Sequence, residues 1–473
     1  MLVGVENRAS KASLRAILGL GLLWVWGFTV FHSPALSITG GTSGQLNVCY
    51  LVSLAAAFIV ALFVSLRNRG GHSALLKRSV LLACALMAGL ATAVTPFFFS
   101  SGPLLVIAGV ASGSGSASVA LAWGVSCAAA GRVDSHRTIL CAGLAAATVV
   151  AASHFLSPWI GYALAVFSLP ASAILFPSTC ADSPVLTRVR SVPLASIVKT
   201  LRWFLLSALA YGASLGCFRG VLFDGIGDNP QMGSILFFVG KMVAAMTLIA
   251  LSAKRGKEFD AGLAYRFTLP VTVAALCLLA LPAEDKEMLS SFLLGCGFTC
   301  FDLGAWILVS DVARRTRLPA LRTFALMQCS VQGGMLLGAI MSLLAQGGIV
   351  SSSAVLIVVV VSLTAACAAM YGRPSVPALE TTDTPSGETD LVEEFVERFG
   401  LTPREGDVLQ LLLRGRSRDR IEKELVLSKS TVKTHVRHIY EKVGVKSQQE
   451  LIDIAEAAGI SAVSASENGN ITP

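Results

Sequence analysis

Residues 401–451 read LTPREGDVLQLLLRGRSRDRIEKELVLSKSTVKTHVRHIYEKVGVKSQQEL, and their spacing predicts four short helices. Thr402 stands before Pro403 with Glu405 three positions on, which combines an N-cap, a first-turn proline and a capping-box acid. Val408, Leu409, Leu412 and Leu413 then form one apolar stripe until Gly415, so helix one covers about 402–414. Ser417 caps a second helix whose Ile421 and Leu425 face inward. Ser428 caps a third at about 429–443, closed by Gly444, and a fourth follows at about 447–458.

In the third helix, Val432, Val436, Ile439 and Val443 recur at helical spacing and define a buried stripe. Lys433, Thr434 and Arg437 fall on another face, where hydrogen-bonding side chains can enter a DNA major groove. Between 414 and 446 there are ten Lys or Arg against four acids, whereas the approach segment LVEEFVERF is acidic. The positive field is therefore aimed at one surface. A basic helix taken alone is usually a solvated face; here the caps and the apolar stripe add a folded module beneath it. His435 and His438 have no Cys or carboxylate set at metal spacing, so they read as packing or phosphate-contact residues.

Across 401–451 the chain closely resembles the LuxR/FixJ-type helix-turn-helix family. The resemblance rests on Leu401, Thr402, Arg404, Glu405, Val408, Leu409 and Gly415, then Ile421, Leu425, Ser428, Thr431, Val432, Lys433 and His435, and finally Ile439, Lys442, Gly444, Val445, Glu450 and Leu451. It implies a four-helix unit in which Lys433, Thr434 and Arg437 reach base edges, Thr431 and His435 support backbone contacts or helix orientation, and the last helix pairs two copies on DNA. The full set of candidate DNA-contacting residues is Lys429, Thr431, Lys433, Thr434, His435, Arg437, His438 and Lys442. Two places depart from the family pattern. Arg418, Asp419, Arg420, Ile421 and Glu422 put an acid where a small residue usually packs, and Gln448 stands where arginine is common.

Upstream, GRPSVPALETTDTPSGETD at 372–390 has no apolar period and reads as a linker, part of an acidic approach segment that runs to 398. As a coil its 19 residues would have a root-mean-square span of roughly 25 Å. The reader domain then occupies 399–460, with a disordered tail expected at 461–473.

Residues 1–371 have a different texture. The whole chain of 473 residues is 54% hydrophobic, 14% charged and has a mean hydropathy of +0.70, which excludes an ordinary soluble protein. Twelve apolar runs long enough to cross a bilayer fall at about 14–31, 46–66, 79–99, 104–129, 138–156, 158–177, 201–222, 232–253, 266–282, 288–310, 321–345 and 349–371.

The net charge of +8 is localised between these runs. One set of alternate loops carries Arg8, Lys11, Arg15, Arg67, Arg69, Lys77, Arg78, Arg132, Arg137, Arg188, Arg190, Lys199 and Arg202, and then Lys254, Arg255, Lys257, Arg266, Arg314, Arg315, Arg317 and Arg322. The opposite set offers Lys286. That 21 to 1 division predicts that both termini face the cytoplasm of a cell whose inner, or plasma, membrane holds the protein. The basic start, first apolar run and small residues near Ala35 and Ser37 share features with a secretory signal, yet the later spans favour an uncleaved first helix. Six runs, a loop at about 178–200 and six more form a 6+6 layout that resembles the major facilitator transporters. The loop RNRGGHSALLKR keeps that family's glycine and basic charge but lacks its acidic residue.

Ionisable residues within a bilayer need a partner or a function. Lys241 and Asp302 are the conspicuous ones, forming either a structural ion pair or a site for a charged ligand or proton. Arg219 lies near the end of its run, where it can snorkel beside Asp224 and Asp228 or contribute to a site. Gln328 and Gln332 share a helix face next to Gly334 and Gly338, either packing helices together or lining a cavity; Gly109 and Gly113 show the same small-residue spacing. The eleven cysteines lack CxxC spacing, and Cys296 and Cys300 read as small packing residues.

The expectation is thus an all-α protein: a 12-span transmembrane bundle followed by a four-helix LuxR-type helix-turn-helix domain. Its expected role is a membrane-bound one-component transcriptional regulator, with double-stranded DNA, the lipid bilayer, an unknown small-molecule ligand and a second copy of itself as partners. The alternative is a secondary transporter with an appended regulatory domain. No catalytic motif, cofactor or metal site is expected.

Overall fold

The computed structural model describes residues 2–32, 43–67, 74–98, 101–177, 193–225, 230–256, 259, 261–280, 286–316, 318–370, 396, 399–413, 415–425 and 427–457. The chain divides into two compact units, Met1–Pro377 and Ala378–Pro473. Among the described residues every regular element is helical.

The first unit contains α1 (Leu2–His32), α2 (Ser43–Leu66), α3 (Arg78–Val94), α4 (Gly102–Ala129), α5 (Arg132–Ser153) and α6 (Pro158–Leu175). It continues with α7 (Leu194–Gly225), α8 (Pro230–Arg255), α9 (Ala261–Ala280), α10 (Lys286–Thr316), α11 (Ala320–Gln346) and α12 (Ser352–Met370). Among the described residues, nine stretches are long and apolar enough to cross a membrane by length and composition, and two shorter apolar stretches, Leu14–Val30 and Ser353–Ala365, lie within α1 and α12. Ile59, Phe63, Leu86, Leu90, Ile107 and Phe167 project from the outside of the bundle. Such an apolar exterior suits lipid, where helices satisfy their backbone groups internally.

Packing repeats when each helix number is raised by six. α1 lies on α5 and α6 as α7 lies on α11 and α12; α2 lies on α4 as α8 lies on α10; and α3 lies on α4 and α6 as α9 lies on α10 and α12. The halves meet through α2 against α11 and α5 against α8, a pair of contacts that also exchange under the same shift. A 6+6 arrangement read from the spacing of apolar runs is therefore present as repeated three-dimensional packing.

Glycine sets the tightest seams. A Cβ at Gly334 would run into the Leu209 carbonyl and one at Gly338 into the Ala213 carbonyl, while Gly212 and Gly216 face Val331 and Met335 from the other side. Backbone can approach backbone here because neither helix presents a side chain. Gly338→Leu should push α7 and α11 apart and markedly reduce the yield of monodisperse detergent-solubilised protein. An elution profile and thermal transition like those of the wild type would refute the seam's importance.

The second unit contains α13 (Pro403–Leu413), α14 (Arg418–Leu425), α15 (Lys429–Val443) and α16 (Gln448–Ala457). α15 packs on α13 and α14, and α16 packs on α13. Its own core joins Val408, Leu409, Leu412 and Leu413 to Ile421 and to Val432, Val436, Ile439 and Val443. Periodicity identified each of these inward positions. Thr402 and Glu405 exchange backbone-to-side-chain bonds, from Thr402 N to Glu405 Oε2 at 2.7 Å and from Glu405 N to Thr402 Oγ1 at 3.3 Å. Ser428 Oγ accepts from Thr431 N at 3.2 Å, and Gly444 ends α15 with φ of 82°. Gln448 turns back to donate to the carbonyls of Leu412 and Arg416 at 2.8 and 3.3 Å, which ties α16 to the end of α13. The residue that departs from the family pattern thus has a structural task of its own.

Candidate functional sites

In the first unit, α1, α2, α4 and α5 of one half and α8, α10 and α11 of the other enclose a cavity of about 170 Å³. Lys241, Asp302, Gln328 and Gln332 all line it. Polar groups that are costly in separate apolar helices thus converge on one space. Arg219 and its proposed neighbours Asp224 and Asp228 have side chains outside the described residues.

Lys241 is 3% exposed, and its Nζ lies 3.8 Å from Asp302 Oδ2. That is long for a charge-assisted hydrogen bond, which is usually about 2.7–2.9 Å. The ammonium also sits over the rings of Phe28 and Phe237, at 4.4 and 5.2 Å from their centroids. Aromatic faces supply part of the stabilisation that water would otherwise give the cation. Asp302 keeps 35% of its side chain accessible, so its carboxylate rather than the lysine presents charge to the cavity.

Trp24, Trp26 and Trp306 build much of the apolar wall, with Trp24 and Trp306 meeting edge to face at 5.5 Å. Two polar wall atoms, Thr299 Oγ1 and Gln332 Oε1, are buried without a hydrogen-bond partner among the described residues. A buried orphan of this kind costs about 1–3 kcal/mol. The tryptophans carried no sequence signal, since an aromatic residue in an apolar run looks the same whether it faces lipid, core or cavity.

A second buried polar group was not anticipated. The apolar run assigned to 288–310 continues as helix to Thr316, and Asp311, one residue past the expected end, is 3% exposed. His136 Nε2 lies 3.1 Å from each Asp311 carboxylate oxygen, Arg314 donates to Oδ1 at 3.0 Å, and Arg132 Nε stands 3.4 Å from Oδ2. Arg322, counted among the loop charges, is 7% exposed inside α11 and donates to the Ser65 carbonyl at 3.0 Å. Charge alone marks a loop in sequence; here mutual neutralisation lets the helix continue. An aspartate set among arginines was the available signal.

The exposed face of α15 carries Lys429, Lys433, Thr434 and Arg437. Arg437 Nε is 3.7 Å from Glu441, and Lys429 Nζ is 3.3 Å from Asp419, both as solvent-exposed pairs. Such pairs contribute about 0–1 kcal/mol and yield readily to a phosphate or a base edge. Thr434 Oγ1 donates to the Ser430 carbonyl at 3.0 Å, leaving its oxygen as an acceptor. Thr431 joins the Ser428 cap through a 2.7 Å hydroxyl contact, and His435 Nδ1 is buried.

Lys442, one of the candidate DNA-contacting residues, is engaged within the domain. Its ammonium bonds Glu405 Oε2 at 2.7 Å and the Gly400 carbonyl at 3.1 Å, because Glu405, 4% exposed, needs a compensating cation. His438 also leans on this carboxylate, with Nδ1 3.5 Å from Oε1. Burial works against the ionised Glu405, but the Lys442 ammonium and the Thr402 backbone donor outweigh it and hold the carboxyl near a pKa of about 2.

Residues 400–455 match the family described as bacterial regulatory proteins, luxR family. The HTH-type transcriptional regulator MalT of Serratia proteamaculans is 42% identical over 65 residues, which cover 14% of this chain and 7% of that protein. The likeness therefore concerns the terminal domain, and the chain spans only that small share of MalT. The transmembrane part is similar in fold to a bacterial homologue of the iron transporter ferroportin, with a TM-score of 0.56 and 14% identity over 76% of this chain and 97% of that one. The human organic anion transporter MFSD10 aligns with a TM-score of 0.50 and 15% identity over 76% of this chain and 99% of that one. The chain joins a membrane domain of major-facilitator-like fold to a C-terminal DNA-binding domain of the LuxR family.

Proposed function

We propose that the protein is a one-component transcription regulator in which residues 1–371 form a sensor of twelve membrane crossings and residues 399–460 form a four-helix reader. Both termini lie in the cytoplasm of a bacterial inner membrane, as the 21 to 1 loop-charge division supports. A small ligand enters the cavity between the halves, interacts with Asp302, Gln328 and Gln332, and shifts how they pack. The observation that carries this reading is the convergence of those residues and Lys241 around one cavity. A space of about 170 Å³ suits a compact molecule, since a cavity of roughly 150 Å³ accepts a single benzene ring.

On DNA, Lys433, Thr434 and Arg437 contact base edges, while Lys429, Thr431, His435 and His438 position the backbone or the helix. Self-association through α16 doubles the contact. A ligand controls this output only by binding one arrangement of the halves more tightly than the other.

Transcript profiles of cells carrying the full chain, the freed fragment 378–473 and Asp302→Asn test the reading. The fragment should drive the same target set without regard to growth medium. The full chain should respond to a change of medium, and Asp302→Asn should blunt that response at equal protein level. A passive anchor would make the full chain as unresponsive as the fragment. Net uptake that is lost in Asp302→Asn would instead favour the transporter reading, which the fold of the membrane domain supports.

A further inference from the structure

We infer that Asp311 is the hub of a latch holding the two membrane halves together at the end bearing the basic loops, and that its release carries cavity occupancy to the reader domain. This rests on the sensor reading above. The cluster is assembled from both halves. Arg132 and His136 belong to α5 and the Cys127 carbonyl to α4, whereas Asp311 and Arg314 belong to α10 and the Phe259 carbonyl to the segment between α8 and α9.

Its bonds run in both directions across the boundary. His136 and Arg132 reach from the first half to Asp311, and Arg132 also donates to the Phe259 carbonyl at 3.0 Å. Arg314 reaches back from the second half to the Cys127 carbonyl at 3.4 Å. The His136 ring meets Phe259 edge to face at 6.0 Å, which seals the site on one side. Separating the halves would take His136 and Arg132 from the Asp311 carboxylate and leave it only Arg314 of its own helix, so the cross-half contacts oppose that separation.

A network confined to one half would mean only local rigidity. This one spans the boundary between the repeated halves and so opposes their separation. It is also wired to the cavity. α10 carries Thr299, Asp302 and Trp306 on the wall, and Asp311 follows nine residues after Asp302, about 13 Å along the helix. α5 likewise carries Gly143 at the cavity and His136 at the latch. A ligand that displaces either helix acts directly on the hub. Buried ionic clusters are best attested as register or switch devices rather than as sources of stability.

Spin labels at exposed Val133 on α5 and Arg315 on α10 report the separation of the halves in the purified full chain, with native reactive cysteines replaced. Asp311→Asn keeps the side-chain volume and removes the charge. It should move the distance distribution to longer values, and the same variant in cells should produce the changed transcript set without a change of medium. Arg132→Gln leaves two partners on the carboxylate and should give a smaller shift in the same direction, which keeps the test open if Asp311→Asn fails to fold. Distances identical to the wild type in folded Asp311→Asn, or in Arg132→Gln where that alone folds, would overturn the latch. Longer distances with unchanged transcripts would overturn its signalling role. Neither outcome touches the fragment comparison, which decides the sensor reading separately.

Discussion

Replacing Lys433 and Arg437 together by alanine should weaken binding of the reader domain to a selected operator by about 100-fold or more, with each single change costing about 1–3 kcal/mol. Both side chains are exposed on α15, opposite the stripe of Val432, Val436, Ile439 and Val443 that anchors the helix. Their removal leaves the core untouched, so the loss would appear in DNA affinity and not in the unfolding transition. Lys429→Ala should behave differently. Set near the helix start, with its ammonium already exchanged with an exposed Asp419, it would weaken all sequences alike and lower the salt dependence by about one counterion. Titrations of wild type and variants against operator and scrambled duplex at several salt concentrations separate these cases. A double variant that still discriminates operator from scrambled DNA would remove α15 as the reading helix.

Glu405→Gln is expected to destabilise the same domain by about 2–3 kcal/mol, equivalent to a fall of roughly 10–20 °C in Tm for a unit of this size. The carboxylate closes the capping box with Thr402, accepts from Lys442 and lies beside His438, so it ties the start of α13 to α15. Glutamine preserves the shape but leaves Lys442 without its counter-charge. The pH dependence has a definite sign. With its pKa held at about 2 against an ordinary 4.5, Glu405 stabilises the fold fully above pH 4.5, and this contribution fades as pH falls toward 2. The shift corresponds to about 3 kcal/mol. Urea unfolding of fragment 378–473 between pH 2 and 6 should show that loss in the wild type and a flatter profile in Glu405→Gln. Parallel profiles would mean that Glu405 is not the group responsible.

The reader domain was legible because its signals are local. Caps at Thr402 and Ser428, stops at Gly415 and Gly444 and a 3.6-residue apolar period depend on neighbours a few positions away, and the folded unit uses them where they stand. The bond from Lys442 to Glu405 was not legible, for the opposite reason. Glu405 lies 37 residues earlier, and a basic residue looks equally suited to phosphate or to an internal acid until the chain folds.

The membrane unit divides in the same way. Sequence by itself determined the helical class, the alternation of basic loops, the small-residue seams and the cost of placing Lys241, Asp302, Gln328 and Gln332 in apolar helices, because each follows from composition or spacing within one segment. Only the tertiary structure decided that those four line one cavity, that tryptophans from α1 and α10 form its walls, and that Asp311 is buried beneath Arg132, His136 and Arg314. These juxtapositions join helices far apart in the chain. Coulomb attraction and packing act through space, and their partners are chosen only when the two halves close on each other.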